Sequence, residues 1–221
     1  MTYTPIAVGA PDWGPPVNAA FTSQDSRITV TESTIATNSS SITGLQNASS
    51  GLTSAASLGY LGWTHDPALI TAGQTGTSGT IYLARINVGT SGTATKLIWG
   101  INTAGSGATA GQNFVALFNS SGTRLANIGV DARVTTTGVF NETISVPVTP
   151  GFYWAAFLFN ATGMPAIYRG GFLNASLVNG QLPVSQARFA TAGTTQTSIP
   201  ASITPSSNVI AMHTFYASLT L

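Results

Sequence analysis

Four large apolar residues recur at strict intervals of seven: Phe21, Ile28, Ile35 and Ile42. With these at heptad position a, position d carries Val17, Gln24, Thr31, Asn38, Leu45 and Leu52. A period of seven keeps a narrow apolar seam on one side of an α-helix, and the seam is buried only when helices wind around one another. The series ends at Ser49 and Ala56, and Gly44 and Gly51 each cost a helix about 1 kcal/mol relative to Ala. Ser, Thr and Asn fill most other positions and are mediocre helix formers. Such a helix does not persist alone. A helical coiled-coil stalk over residues 21–58, about 60 Å long if continuous, therefore requires partner chains. The competing reading is a disordered Ser/Thr linker with chance spacing.

Isoleucine at a with polar residues at d resembles the stalks of trimeric fibres and adhesins, where an inward Asn at d can hold an anion on the three-fold axis. Asn38 occupies that position. The alternative is that Gln24, Thr31 and Asn38 set register at a cost in stability. Either way the expectation is a homotrimer. Its oligomerisation residues would be Val17, Phe21, Ile28, Ile35, Asn38, Ile42, Leu45 and Leu52.

Before this segment, residues 1–20 hold Pro5, Gly9, Pro11, Gly14, Pro15 and Pro16. Proline fixes φ and lacks an N–H donor, so an extended attachment arm is expected here, with Trp13 as an anchor. From Gly59 onward the apolar period becomes two. Strands are expected at Thr80–Val88, Thr95–Asn102, Asn113–Phe118, Thr123–Val130, Val139–Val148, Phe152–Asn160, Ser185–Ala190 and Asn208–Leu219. Asn119-Ser120-Ser121-Gly122 reads as a hairpin turn. The run Phe152–Asn160 is apolar on both faces, as in a central strand covered on both sides. The loops Thr71–Gly79 and Thr103–Gly111 read as surface crossings. The fold class expected is mainly β: a jelly-roll-like β-sandwich head over residues 59–221, preceded by the helical stalk.

Composition narrows function. Only 6% of the 221 residues are charged, while 43% are hydrophobic. Solubility must come from hydroxyls and amides, a balance common in extracellular fibres and sugar-binding modules, or else a habit of the source genome. The seven basic residues are scattered and the net charge is +1, so nothing tracks a phosphate backbone and no nucleic-acid partner is expected. No apolar run approaches the ~20 residues of a membrane span. The opening Met1-Thr2-Tyr3-Thr4-Pro5-Ile6 lacks the features of a signal peptide. Cysteine is absent, which removes disulfides, thiolate metal sites and cysteine nucleophiles. Six N-x-S/T sequons, at Asn38, Asn47, Asn119, Asn141, Asn160 and Asn174, follow from abundant Asn, Ser and Thr when no secretion signal is present.

Acid–base chemistry is sparse. The head holds three carboxylates, Asp66, Asp131 and Glu142, and two histidines, His65 and His213. Asp131 and Glu142 are the one pair that could face each other as in a glycosidase, and pairing with Arg133 or Arg124 explains them more simply. Asp66-Pro67 reads as a turn starter, and His213 as a buried strand histidine. No nucleophile elbow, phosphate loop, zinc motif or calcium loop occurs. The chain is read as no enzyme, with no cofactor and no metal. Binding is the open possibility. Most aromatics belong to a core, and the exceptions are Trp63, in Leu61-Gly62-Trp63-Thr64-His65-Asp66-Pro67, and Tyr168-Arg169, in a Gly/Pro-bounded loop. Those three are the candidate ligand-binding residues.

The stretch Ala10-Pro11-Asp12-Trp13-Gly14-Pro15-Pro16-Val17-Asn18-Ala19-Ala20 resembles the start of minor tail or fibre proteins of bacteriophages infecting actinobacteria, in which a short W-G-x-P-V-N arm precedes a heptad segment. Leu61–Pro67, Ala110–Phe118 and Pro200–Ser206 are similar to their C-terminal module. The resemblance implies a virion location, a trimer, docking on other virion proteins through residues 1–20, and a role in binding host cell-wall carbohydrate. It assigns no binding residue. The alternative of a different class is a structural decoration or head-fibre protein without a receptor.

Overall fold

Proline sets where the helix begins. In the computed structural model, which describes residues 14–48, 54–171 and 174–221, helix α1 runs Gly14–Ala48. Pro15 and Pro16 sit in its first turn, where a missing N–H costs nothing because those donors have no intrahelical acceptor. The arm expected to be extended as far as residue 20 is thus helical from Gly14 onward. Trp13 and Leu52 lie outside the described residues. At about 1.5 Å per residue, 35 residues span about 52 Å.

The chain divides into two compact units, Met1–Leu52 and Thr53–Leu221. In the first, Ile28, Val30 and Ile35 are 56%, 65% and 59% exposed. Hydroxyls along α1 turn back on its own backbone: Ser26 donates to the Thr22 carbonyl, Thr31 to Arg27, Thr34 to Val30 and Thr37 to Ser33, at 2.8–2.9 Å. These bonds satisfy the hydroxyls locally.

The second unit opens with a 3-10 turn at Ala55–Leu58, so the expected stalk does not continue as one helix to residue 58. Its strands are β1 (Tyr60–Trp63), β2 (Ile70–Thr75), β3 (Tyr82–Val88), β4 (Gly92–Thr103), β5 (Ser106–Ala108), β6 (Phe114–Asn119), β7 (Arg124–Gly129), β8 (Gly138–Val148), β9 (Gly151–Leu158), β10 (Ala161–Gly163), β11 (Ala166–Gly170), β12 (Phe189–Thr191), β13 (Val209–Ile210) and β14 (Ser218–Thr220). A five-residue helix, α2 (Ala175–Asn179), precedes β12. The unit is mainly β. One large sheet follows the order β2-β11-β4-β14-β1-β3-β9-β6-β7, with β8 on β4 and β12 and β13 added beside β3; β5 and β10 form a separate pair.

The sheet folds over on itself like a sandwich. Leu97, Trp99 and Ile101 of β4 and Phe140 and Val146 of β8 pack in one core with Ile86 of β3, Leu117 of β6 and Phe157 of β9. The opposite face of β3, β6 and β9 carries Leu83, Ala116, Phe118, Trp154 and Ala156, which pack with Ala187, Ala190 and Ile199 from the C-terminal segment. Strand β9 is hydrogen-bonded to β3 on one side and β6 on the other, and both its faces are buried. This is the central strand expected from its unbroken apolar run.

Several expected elements are corrected. Overlapping Thr71–Gly79 and Thr103–Gly111, expected as surface crossings, β2 (Ile70–Thr75) and β5 (Ser106–Ala108) pair with β11 and β10. Residues 208–219 are not one strand: β13 ends at Ile210, and pairing resumes regularly only at Ser218. Between them His213 is half-buried, its ring 4.3 Å from that of Tyr82.

Candidate functional site

Strand β3 is bordered on one side by two different strands in succession. Strand β12 pairs with Tyr82–Ala84, and β1 pairs with Asn87 and Val88. The site lies where β3 passes from one neighbour to the other. Leu83, Arg85 and Asn87 alternate along one face, so the apolar row under the C-terminal segment turns polar at Arg85. Trp63 stands directly opposite Asn87, and paired residues point to the same face. Arg188 precedes β12, and its carbonyl accepts from the Arg85 N–H at 2.7 Å.

Trp63, Asn87 and Arg188 border a cavity of about 410 Å³, lined also by Ser54, Ala55, Ala56, Leu61, Thr64, His65, Val88 and Gly89. That is within the ordinary size range of a small-ligand pocket. The turn on its rim is fixed by Ser54, whose hydroxyl accepts from the Ser57 N–H at 3.2 Å, and by Gly59, whose left-handed φ of 80° closes it. Trp63 is half-buried, with its ring 5.7 Å from that of Tyr60.

Two guanidinium groups set the electrostatics. Arg188 donates from Nη1 to the Val178 carbonyl at 3.3 Å and from Nη2 to the Thr64 carbonyl at 3.4 Å. Arg85 donates from Nε to Asn87 Oδ1 at 2.9 Å and from Nη1 to the Gln186 carbonyl at 2.8 Å. Burial, and then the charge of Arg188, lower the pKa of Arg85. Burial also pushes His65 down to about 4, with Arg188 acting in the same direction and Asp66 opposing. His65 is therefore neutral at ordinary pH. An ion pair lies elsewhere, between Arg133 and Glu142 at 3.1 Å.

The carboxylates serve the fold. Asp131 accepts from the Gly111 N–H at 2.6 Å and from Asn113 Nδ2 at 2.8 Å, bonds that lower its pKa. Asp66 accepts from the Ala68 N–H at 2.8 Å and caps the turn at Pro67–Leu69. Asp131 and Glu142 are each held by a different partner. Among the described residues no three metal-ligating side chains cluster, and no helix is long and apolar enough to cross a membrane.

Of the sequence-derived ligand candidates, Trp63 lines the cavity. Tyr168 and Arg169 do not, and they are not in a loop: both lie on β11 between β2 and β4. The Tyr168 ring lies over Gly100, where a Cβ would come within 2.8 Å of it, and its carbonyl accepts from the Tyr216 N–H at 2.9 Å. Of the oligomerisation candidates, Ile28, Ile35 and Asn38 are exposed on α1; Val17, Phe21, Ile42 and Leu45 fall within its span. Sequence reasoning missed Asn87 and Arg188. The available signal was a polar pair, Arg85 and Asn87, on the same strand face as Leu83. Comparison with known proteins gives no matching family model, no matching curated protein and no matching solved structure.

Proposed function

We propose that the chain is a multimeric, non-enzymatic attachment protein of a virus particle, a fibre or minor tail protein. In this reading α1 is one strand of a three-helix coiled coil, residues 1–20 dock on other virion proteins, and the β head binds host cell-surface glycan. The observation that carries it is α1 itself: a 35-residue helix whose heptad isoleucines, Ile28 and Ile35, are more than half exposed. A helix rich in Ser, Thr and Asn with that seam uncovered lacks the packing that stabilises most protein helices. Winding three copies together supplies it. The local bond from Thr31 to the Arg27 carbonyl lets a polar d residue enter such a seam with its hydroxyl already satisfied.

The head suits binding rather than turnover. Asp131, Glu142 and Asp66 are each committed to a structural bond, while the cavity offers an aromatic ring, a carboxamide and a guanidinium, the groups that hold sugars by stacking and hydrogen bonding. The virion assignment rests on the resemblance of Ala10–Ala20 and the three head stretches. Sedimentation of the full chain with purified actinobacterial cell walls tests attachment. Saturable retention that free wall glycan competes away is expected. A chain left in the supernatant with every envelope fraction points instead to a decoration protein without a receptor.

A further inference from the structure

The cavity beside Trp63 has a charge that a site for neutral sugars does not need. Arg188 lines it; of its five N–H donors two are occupied, both by long bonds to backbone carbonyls, and its guanidinium lies 5.5 Å from the Phe189 ring. No carboxylate pairs with Arg188 or Arg85 among the described residues. Asp66 acts on His65 at the same end of the head, and its carboxylate caps the turn at Pro67–Leu69. From Gly59 onward the chain holds six cations, Arg85, Lys96, Arg124, Arg133, Arg169 and Arg188, against three carboxylates. A guanidinium in the wall of a cavity without its own anion can match a planar carboxylate in a bidentate arrangement.

We infer that the Trp63–Asn87–Arg188 cavity binds an acidic saccharide, a pyranose carrying a carboxylate. The Trp63 ring takes the apolar face of the sugar, the Asn87 carboxamide meets a ring hydroxyl, and the free edge of Arg188 takes the carboxylate. This deepens the attachment reading and rests on it. The arrangement is a single fork beside an aromatic ring, not a stripe of cations, so it selects one acidic residue within a glycan rather than a polyanion.

The test titrates the full chain with methyl β-D-glucuronide and with methyl β-D-glucoside, following the tryptophan emission and the amide spectrum. Trp99 and Trp154 are fully buried, so among the described tryptophans Trp63 is the one open to quenching. Wild type is expected to favour the glucuronide by about tenfold or more, the worth of one charge-assisted hydrogen-bonded pair, with the preference shrinking as salt rises. Arg188→Gln should bring the two sugars to near parity, and Trp63→Ala should weaken both. Arg188→Lys keeps the charge but not the fork, and should lose at least half of the preference; it decides the matter if circular dichroism shows Arg188→Gln misfolded. No saturable glucuronide binding, a preference that survives in a folded Arg188→Gln chain, or one left undiminished in a folded Arg188→Lys chain, overturns the inference. If cell-wall retention persists in that case, attachment stands on another surface; if retention is also absent, the attachment reading falls with it.

Discussion

The guanidinium of Arg188 crosses to the end of β1, where Nη2 donates to the carbonyl of Thr64, 124 residues earlier in the chain, at 3.4 Å. This contact sets a permanent cation beside His65 at the rim of the cavity. Burial and that charge hold the His65 pKa near 4, against 6.5 when exposed.

The consequence is acid sensitivity. The unfolded chain takes up a proton near pH 6.5 that the folded chain refuses until about pH 4. The stability gained by keeping His65 neutral is thus complete above pH 6.5 and is lost as pH falls toward 4. A shift of this size corresponds to roughly 3 kcal/mol across the window. Burial lowers His213 in the same direction. Urea midpoints at pH 7 and pH 4.5 should differ clearly in the wild type and less in His65→Gln. Equal pH dependence in the two would contradict it.

At the alkaline end the sign reverses. Tyr216 is pushed up to about 12, first by burial. Its stabilising contribution is present below pH 10 and is lost as pH rises from 10 toward 12. Its hydroxyl lies 3.1 Å from Ser218 Oγ, and Ser218 is fully buried. Tyr216→Phe should cost about 1 kcal/mol at neutral pH by removing that bond and should flatten the loss between pH 10 and 12. Denaturation at pH 7.5 and 11 measures both.

Gly122 closes the β6–β7 hairpin with φ +88°, and a Cβ there would press into the carbonyl oxygen of Ile203. Both the left-handed backbone and the missing space disfavour a side chain. Gly122→Ala should destabilise the head by about 1–3 kcal/mol, read from the urea midpoint. An unchanged midpoint would show that the turn and the 200–205 segment can part at no cost.

That hairpin was legible because its chemistry is local: Asn119 Oδ1 accepts from the N–H groups of Ser121 and Thr123 at 3.1 and 2.8 Å. The same holds for β9, whose run of apolar residues needs both faces covered whatever its neighbours are. Ile70–Thr75 was not legible. Its small polar residues become a strand only by pairing with Ala166–Gly170, about a hundred residues away, and that same partnership draws Tyr168 and Arg169 out of the expected loop. At Ala211–Ala217 the apolar alternation suggested a strand, yet the backbone is engaged irregularly, with Tyr216 bonded to Tyr168 and Thr64 to Ala217. The candidate site divides in the same way. Trp63 stood out as an aromatic outside any apolar strand pattern, whereas Asn87 and Arg188 meet only through the order of strands along β3.

If α1 is one strand of a multi-chain stalk, the solution mass of the full chain reveals it. Sedimentation equilibrium should give three times the 22.6 kDa chain mass, and replacing Ile28 and Ile35 together by Asp should reduce it to that of one chain while the β signature of the head is retained. A wild-type protein that sediments as a single chain at micromolar concentration would contradict the account.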